Sequence, residues 1–125
     1  MARAELEAVV AFGVHVVIDD FGVGWSNLGR ILDLPVDGLK IDRSIAGQVP
    51  DDPRAAAMVR STVLLAGELG LNVTAEGIET TTTRDCLARA GCRWGQGWLY
   101  SPAVSGDDLP AVLSRMDTVA ALRTA

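Results

Sequence analysis

The stretch His15-Val16-Val17-Ile18-Asp19-Asp20-Phe21-Gly22-Val23-Gly24-Trp25-Ser26-Asn27 limits the folds open to this chain. A β-branched apolar run ends in two adjacent carboxylates and then breaks into a loop with two glycines. Such a run suits a parallel strand buried on both faces. Two carboxylates at its carboxyl end cost free energy unless a cation accompanies them. Gly22 and Gly24 let the backbone take positive φ and come close to a ligand. Two readings stand side by side. In one, the acids form a metal site at the carboxyl edge of a parallel sheet, beside a functional loop. In the other, Asp19 and Asp20 are solvated acids that start a turn.

The remaining pattern extends the parallel sheet. Leu6, Val9 and Val10 recur at helical spacing between Ala2 and Phe12, and Gly13 is placed to end that helix. The first strand is expected at Val14 to Asp19. Ser26 is positioned to cap a short helix over Asn27 to Leu32, which Leu34-Pro35 ends. Gly38 to Asp42 reads as a second strand. A Pro/Asp loop leads to a long helix from about Arg54 to Leu69, stopped by Gly70. Met58, Val59, Val63, Leu65, Ala66 and Leu69 form its expected apolar face. Leu71 to Glu76 is the third strand, and Thr80 to Thr83 offer hydroxyl caps to a helix ending at Gly91. Arg93 to Trp98 is a weaker fourth strand. Asp107-Asp108-Leu109-Pro110 opens a last helix to Met116, and a tail follows. A helix and then four strand–helix units imply an α/β chain with right-handed parallel crossovers.

With 125 residues, the chain has room for one small domain with an ordinary core. Hydrophobic residues make up 49% and charged residues 22%, which places it among globular rather than disordered chains. Its net charge of −5 argues against binding a nucleic acid polymer, which calls for a basic stripe. An anionic ligand would therefore need a bound cation or a local Lys or Arg. Cys86 and Cys92 fit small buried hydrophobes better than a disulfide framework or a zinc site. No apolar run reaches the roughly 18 residues of a membrane span, and Met1-Ala2-Arg3 opens no signal peptide, so a cytoplasmic location is expected.

Strand alternation puts Lys40 and Asp42 on one side of the second strand and Leu39 and Ile41 on the other. Glu76 directly precedes Gly77, and Gln96 sits between Gly95 and Gly97. Asp19, Asp20, Lys40, Asp42, Glu76 and Gln96 thus fall at or near the carboxyl ends of successive strands. That edge carries the active site in barrels and open parallel sheets alike. Each residue alone has a structural reading; Lys40 could pair with Asp42 or with a neighbouring helix. A dinucleotide fingerprint is not met. Gly22-Val23-Gly24-Trp25-Ser26-Asn27 lacks the third glycine, and two aspartates stand where a pyrophosphate would approach.

In this order and spacing the segments resemble a known family. Asp19-Asp20-Phe21-Gly22-x-Gly24-x-Ser26 resembles the D-D-F-G-T-G-Y-S segment of EAL-type cyclic di-GMP phosphodiesterases. Leu34-Pro35-Val36-Asp37-Gly38-Leu39-Lys40-Ile41-Asp42-Arg43-Ser44 is similar to that family's L-P-V-D-x-L-K-I-D-R-S. Ala75-Glu76-Gly77-Ile78-Glu79-Thr80 is similar to A-E-G-V-E-T. Gly91-Cys92, then Gln96-Gly97-Trp98-Leu99-Tyr100-Ser101-Pro102, resembles G-C…Q-G-Y-L-F-S-x-P. The match covers about residues 6 to 116.

The resemblance implies a partial (β/α) TIM-type barrel of about four βα units, with 1–116 as the C-terminal half of an EAL-type domain and 117–125 as a tail. It implies hydrolysis of cyclic di-GMP to linear pGpG with Mg²⁺ or Mn²⁺. By the same resemblance Asp19 and Asp20 hold a metal pair and its water, and Lys40 contacts the attacking water. Glu76 belongs to the catalytic metal site, and Gln96 lines the site near substrate. Phe21, Gly22, Gly24 and Ser26 belong to a loop that couples the metal site to dimerisation. Val23 and Trp25 replace the family's threonine and tyrosine there.

The Glu-Ala-Leu signature itself is absent; Glu7-Ala8-Val9 lies in the helix before the aspartate strand. In the family the signature glutamate, an asparagine and a second glutamate are metal ligands on strands this chain does not supply. A full barrel takes about 250 residues. The expectation is a fragment of a phosphodiesterase, inactive alone, that associates with a missing N-terminal half or with a second copy of itself. The alternative is a non-catalytic nucleotide-binding or protein-interaction module derived from an EAL domain.

Overall fold

The computed structural model describes residues 3–21 and 27–116. The loop residues Gly22, Gly24 and Ser26, and the tail expected at 117–125, lie outside the described residues. Four strands form one parallel sheet in the order β1-β2-β3-β4: β1 is Val17–Phe21, β2 Gly38–Ile41, β3 Asn72–Ala75 and β4 Trp94–Gly95. Helices alternate with them: α1 is Arg3–Ala11, α2 Asn27–Asp33, α3 Arg43–Ala46, α4 Pro53–Glu68 and α5 Thr81–Arg89. A 3₁₀ turn at Gly106–Asp108 leads into α6, Leu109–Met116. Among the described residues no helix is long and apolar enough to cross a membrane. The architecture is a partial (β/α) barrel.

Local chemistry fixes the helix ends much as the sequence predicts. The Asp52 side chain accepts from the Arg54 N–H at 2.8 Å, with Pro53 in the first turn of α4. Thr80 Oγ1 accepts from the Thr83 N–H at 3.1 Å at the start of α5. Gly13 and Gly70 take positive φ just after α1 and α4.

Among the described residues, one face of the sheet is packed. Leu39 pairs in register with Val73, and Ile41 with Ala75. All four are buried with Ile18 and Phe21 in one core with Val59 and Ala66 of α4 and Leu87 of α5. Burying a leucine or isoleucine of this kind contributes about 1.5–3 kcal/mol. The opposite face carries Lys40, which pairs in register with Thr74, and Thr74 pairs with Trp94. On that face Val17 and Trp94 remain 42% and 47% exposed.

Four differences from the sequence reading have physical causes. First, β1 starts at Val17 and continues through both aspartates to Phe21, where Val14 to Asp19 was expected. Second, Asp42, expected as the last residue of the second strand, instead caps a four-residue helix, α3, where the sequence reading assigns no element. Third, β4 shrinks to two residues because the ladder beyond it is held by isolated bonds. The Gln96 N–H donates to the Ala75 carbonyl at 2.9 Å, and the Ile78 N–H donates to the Gln96 carbonyl at 3.0 Å. Gly97 lies against this crossing, where a Cβ would run into the backbone of Ile78. Fourth, Met58 and Leu69 of the expected α4 face are exposed, and Ala55 is buried in their place.

Candidate metal centre

The centre begins with an irregularity. Ile18 pairs with Leu39 and Phe21 with Ile41, so three steps along β1 match two along β2. The extra residue is a bulge, and Asp20 takes φ 52, in the left-handed region, to accommodate it. In a regular strand adjacent side chains point to opposite faces. Here Ile18 and Phe21 both stay in the core while Asp19 and Asp20 are both exposed. The bulge is what lets two consecutive carboxylates serve one site. The Asp20 N–H also donates to Asp19 Oδ1 at 2.8 Å, which fixes the first carboxylate against the second backbone unit.

Glu76 completes the group from the end of β3. Its N–H donates to the Ile41 carbonyl at 3.0 Å, which extends the β2–β3 ladder to the rim. Carboxylate oxygens of Asp19, Asp20 and Glu76 all lie within 4.8 Å of one another. The Lys40 Nζ stands 3.7 Å from Glu76 Oε1. The structure therefore brings Asp19, Asp20, Lys40 and Glu76 together, four of the residues singled out from sequence. Gln96 is anchored beside them through its backbone bonds to Ala75 and Ile78, and its side chain is exposed. Phe21 is buried and serves the core, not the rim.

Electrostatics show how crowded the negative charge is. Asp20 holds its proton more tightly than an ordinary aspartate because Asp19 is beside it, with burial and a hydrogen bond to Asp42 adding to the effect. Glu76 is also raised, chiefly by burial and then by its hydrogen bond to Asp19 and the charge of Asp19; Lys40 opposes the shift. Asp42 moves the other way because the Ser44 hydroxyl and the Ser44 N–H, the latter at 2.9 Å, both donate to it. The sequence reading places Asp42 on the Lys40 side of β2 and among the polar residues at the strand ends, but gives it no role in the site. Its hydrogen bond to Asp20 puts it at the edge of the cluster, and strand alternation was the signal that pointed there.

The donor set fits a hard divalent cation. All three donors are carboxylate oxygens, the ligands that Mg²⁺, Mn²⁺ and Ca²⁺ take. One ammonium does not neutralise them, since Glu76 remains raised despite Lys40. A cation at this position would relieve the repulsion that Asp19 exerts on both neighbours.

The sequence profile of the family described as EAL domain matches residues 1–103. The chain is 40% identical over 106 residues to MucR of Pseudomonas aeruginosa, described as a bifunctional diguanylate cyclase/cyclic di-GMP phosphodiesterase. That match covers 85% of this chain and 16% of MucR. Among solved structures, the EAL domain of Mycobacterium smegmatis DcpA superposes with a TM-score of 0.84 at 38% identity, over 98% of this chain and 52% of that one. Klebsiella pneumoniae BlrP1, solved as a manganese/cyclic di-GMP complex, superposes with a TM-score of 0.75 at 34% identity, over 80% of this chain and 26% of BlrP1. This chain thus spans about half of the DcpA domain and under a fifth of MucR.

Proposed function

The chain belongs to the EAL domain family, and from that premise we propose that residues 1–116 carry the carboxyl-side half of a cyclic di-GMP phosphodiesterase site. The observation that carries the reading is the convergence of Asp19, Asp20 and Glu76 within 4.8 Å beside Lys40. The reaction is hydrolysis of one phosphodiester of cyclic di-GMP to linear pGpG.

In this reading Asp19, Asp20 and Glu76 hold Mg²⁺ or Mn²⁺. When bound, such a cation supplies positive charge that acidifies water and offsets charge on the phosphoryl group. The side chains do the rest. Lys40, held toward Glu76, donates a hydrogen bond that positions the attacking water. That water gives up a proton to a carboxylate of the cluster as its oxygen bonds to phosphorus, and the ribose oxygen that leaves phosphorus takes a proton from solvent. The ammonium also offsets charge on the phosphodiester oxygens, a role that an acidic chain can fill only locally. Asp42 keeps Asp20 oriented through their hydrogen bond, and α3 holds Asp42 in turn. Gln96, exposed on the next strand end, contacts the nucleotide. The loop with Gly22, Gly24 and Ser26 links this rim to a partner subunit.

Three carboxylates among the described residues make an incomplete shell for a metal pair. We therefore infer that the chain requires further ligands, from an N-terminal barrel half or from a second copy, before it turns over substrate. The uncovered sheet face favours one further reading, a nucleotide-binding or interaction module without turnover.

Complementation separates the two readings. An N-terminal EAL half bearing the signature glutamate, the asparagine and the second glutamate is supplied in trans or fused upstream, and pGpG is followed by chromatography. Hydrolysis that appears, depends on divalent metal and is lost in Asp19→Asn supports the phosphodiesterase site. In that assembly Lys40→Ala lowers the rate by about a hundredfold or more, whereas Asp51→Asn, in the Pro/Asp loop, has little effect. A folded, metal-loaded assembly that binds cyclic di-GMP without turnover leaves the module reading.

A further inference from the structure

Helix α4 turns Ala55, Val59 and Ala66 into the core. Its opposite side carries a second stripe. Arg54, Ser61 and Glu68 recur every seven residues and form one line along the helix, with Ala57 and Leu64 on one flank and Met58 on the other. All six are exposed, Leu64 by 72% and Met58 by 49%. The helix joins β2 to β3 in the middle of the sheet, and the stripe faces away from that sheet. Its exposure is therefore independent of what borders the outer strands.

The charges on this line oppose the helix's own dipole. Arg54 stands in the first turn, which holds no acid, and Glu68 in the last, which holds no base. A cation at the amino end and an anion at the carboxyl end each destabilise an isolated helix. Among the described residues neither side chain has an ion-pair or hydrogen-bond partner. Nor can they pair with each other, since about 21 Å of helix axis separates them. The one other charged group of α4, Arg60, projects about 100° away from the line and stays in solvent.

We propose that a second copy of this chain docks on the stripe, the two α4 helices packing antiparallel about a two-fold axis through Ser61. The inference is independent of the phosphodiesterase reading. Positions equally far before and after Ser61 then face each other, so Arg54 of each copy meets Glu68 of the other at both ends. Ser61 faces its own counterpart and lets the backbones come close. Ala57 leaves room for Leu64 of the other copy, and Met58 lies against its Leu65, which already rests on the core. Each misplaced charge gains an opposite charge, and the two helix dipoles run head to tail. A parallel two-fold would set Arg54 against Arg54 and Glu68 against Glu68, which repels. A second copy is favoured over other occupants because one stripe supplies both members of each pair. A helix about 24 Å long makes a contact at the small end of specific interfaces, so micromolar affinity is expected.

The test uses the full 125-residue chain without metal or nucleotide. Sedimentation is followed from about 1 to about 300 µM, and a species of twice the 13.2 kDa chain mass is expected to assemble in that range. Arg54→Glu and Glu68→Arg each set like charges together at both ends of the pair, and each weakens self-association by about tenfold or more. Combined in one chain they restore opposite charges, and affinity returns to within about threefold of wild type. Each single change also suits the helix dipole, so at about 1 µM its Tm is unchanged or about one to a few degrees higher, which a loss of fold would not give. A second measurement fixes the geometry. In a Cys86→Ser background, Ser61→Cys is expected to cross-link into a disulfide dimer under mild oxidant, whereas Gly67→Cys, about a third of a turn off the line, does so at least tenfold more slowly. A monomer throughout the range overturns the proposal. So do association that ignores the charge at 54 and 68, a double reversal that fails to restore it, and equal cross-linking at 61 and 67. Failure of cyclic di-GMP turnover leaves these measurements unaffected.

Discussion

Lys40 Nζ and Glu76 Oε1 lie 3.7 Å apart across two neighbouring parallel strands, with their side chains only 33% and 17% exposed. The pair is close enough for the ammonium to favour ionised Glu76, yet Glu76 keeps its proton more tightly than a free glutamate. Burial and Asp19 outweigh the lysine. The rim is therefore an acidic site short of positive charge, and its stability and its ligand affinity pull against each other.

That opposition has a pH signature. The folded-state pKa of Glu76 lies above its ordinary 4.5, so the folded chain binds this proton more tightly than the unfolded chain does. The stabilising difference is complete below the unfolded value and is lost as pH rises through the folded one. In EDTA, Glu76→Gln is expected to raise Tm by a few degrees at neutral pH and to lose that advantage near pH 4. Thermal melts across this range check it; an unchanged or lower Tm at neutral pH would show that the Lys40 contact outweighs the acid crowding.

Divalent cation should reverse the penalty. Mn²⁺ at about a hundred times its dissociation constant stabilises the folded chain by about 2.7 kcal/mol. The increment should vanish in Asp19→Asn, because Asp19 acts on both Asp20 and Glu76. Calorimetry at mildly acid pH in two buffers of different ionisation enthalpy should also detect proton release on binding, since Asp20 and Glu76 each hold a proton more tightly than a free carboxyl group.

Asp20 tests the bulge. An L-residue in the left-handed region costs about 1 kcal/mol, which glycine avoids. Asp20→Gly is therefore expected to stabilise metal-free chain by about 1 kcal/mol, while Asp20→Val destabilises it by about 1–3 kcal/mol. Both should lose the Mn²⁺ increment. Urea unfolding with and without Mn²⁺ distinguishes these outcomes.

Two glycines provide a contrast in packing. A Cβ at Gly97 would strike the Ile78 backbone, whereas one at Gly67, inside α4, meets nothing within 4 Å. Gly97→Ala should cost about 2 kcal/mol or more, and Gly67→Ala should add up to about 1 kcal/mol. Denaturation midpoints measure both, and equal effects would remove the Ile78–Gln96 crossing as a rigid element.

Most of the architecture was legible because it rests on local patterns. The βα alternation, the Thr80 cap and the Lys40 side of β2 all follow from period and side-chain chemistry. The course of β1 was not legible. Asp-Asp reads as a strand end because aspartate is depleted in strands, but pairing of Phe21 with Ile41 carries the strand past both acids. The α3 helix escaped notice because four residues are too few for periodicity, and only the Asp42 cap announces it. That the acids of successive strands share one rim was legible from the strand ends; their approach to within 4.8 Å depends on the bulge and on the β1–β2–β3 register, which no single segment carries.

The unequal step between β1 and β2 has a genetic meaning. Removing the codon for Asp20 would leave Ile18 opposite Leu39 and Phe21 opposite Ile41, with Asp19 falling opposite Lys40. That shortened strand is regular, free of its left-handed residue, and has one carboxylate fewer. Abundance and metal uptake therefore make opposing demands on a single triplet. A library of one-residue deletions, scored separately for both, should place their sharpest disagreement at position 20.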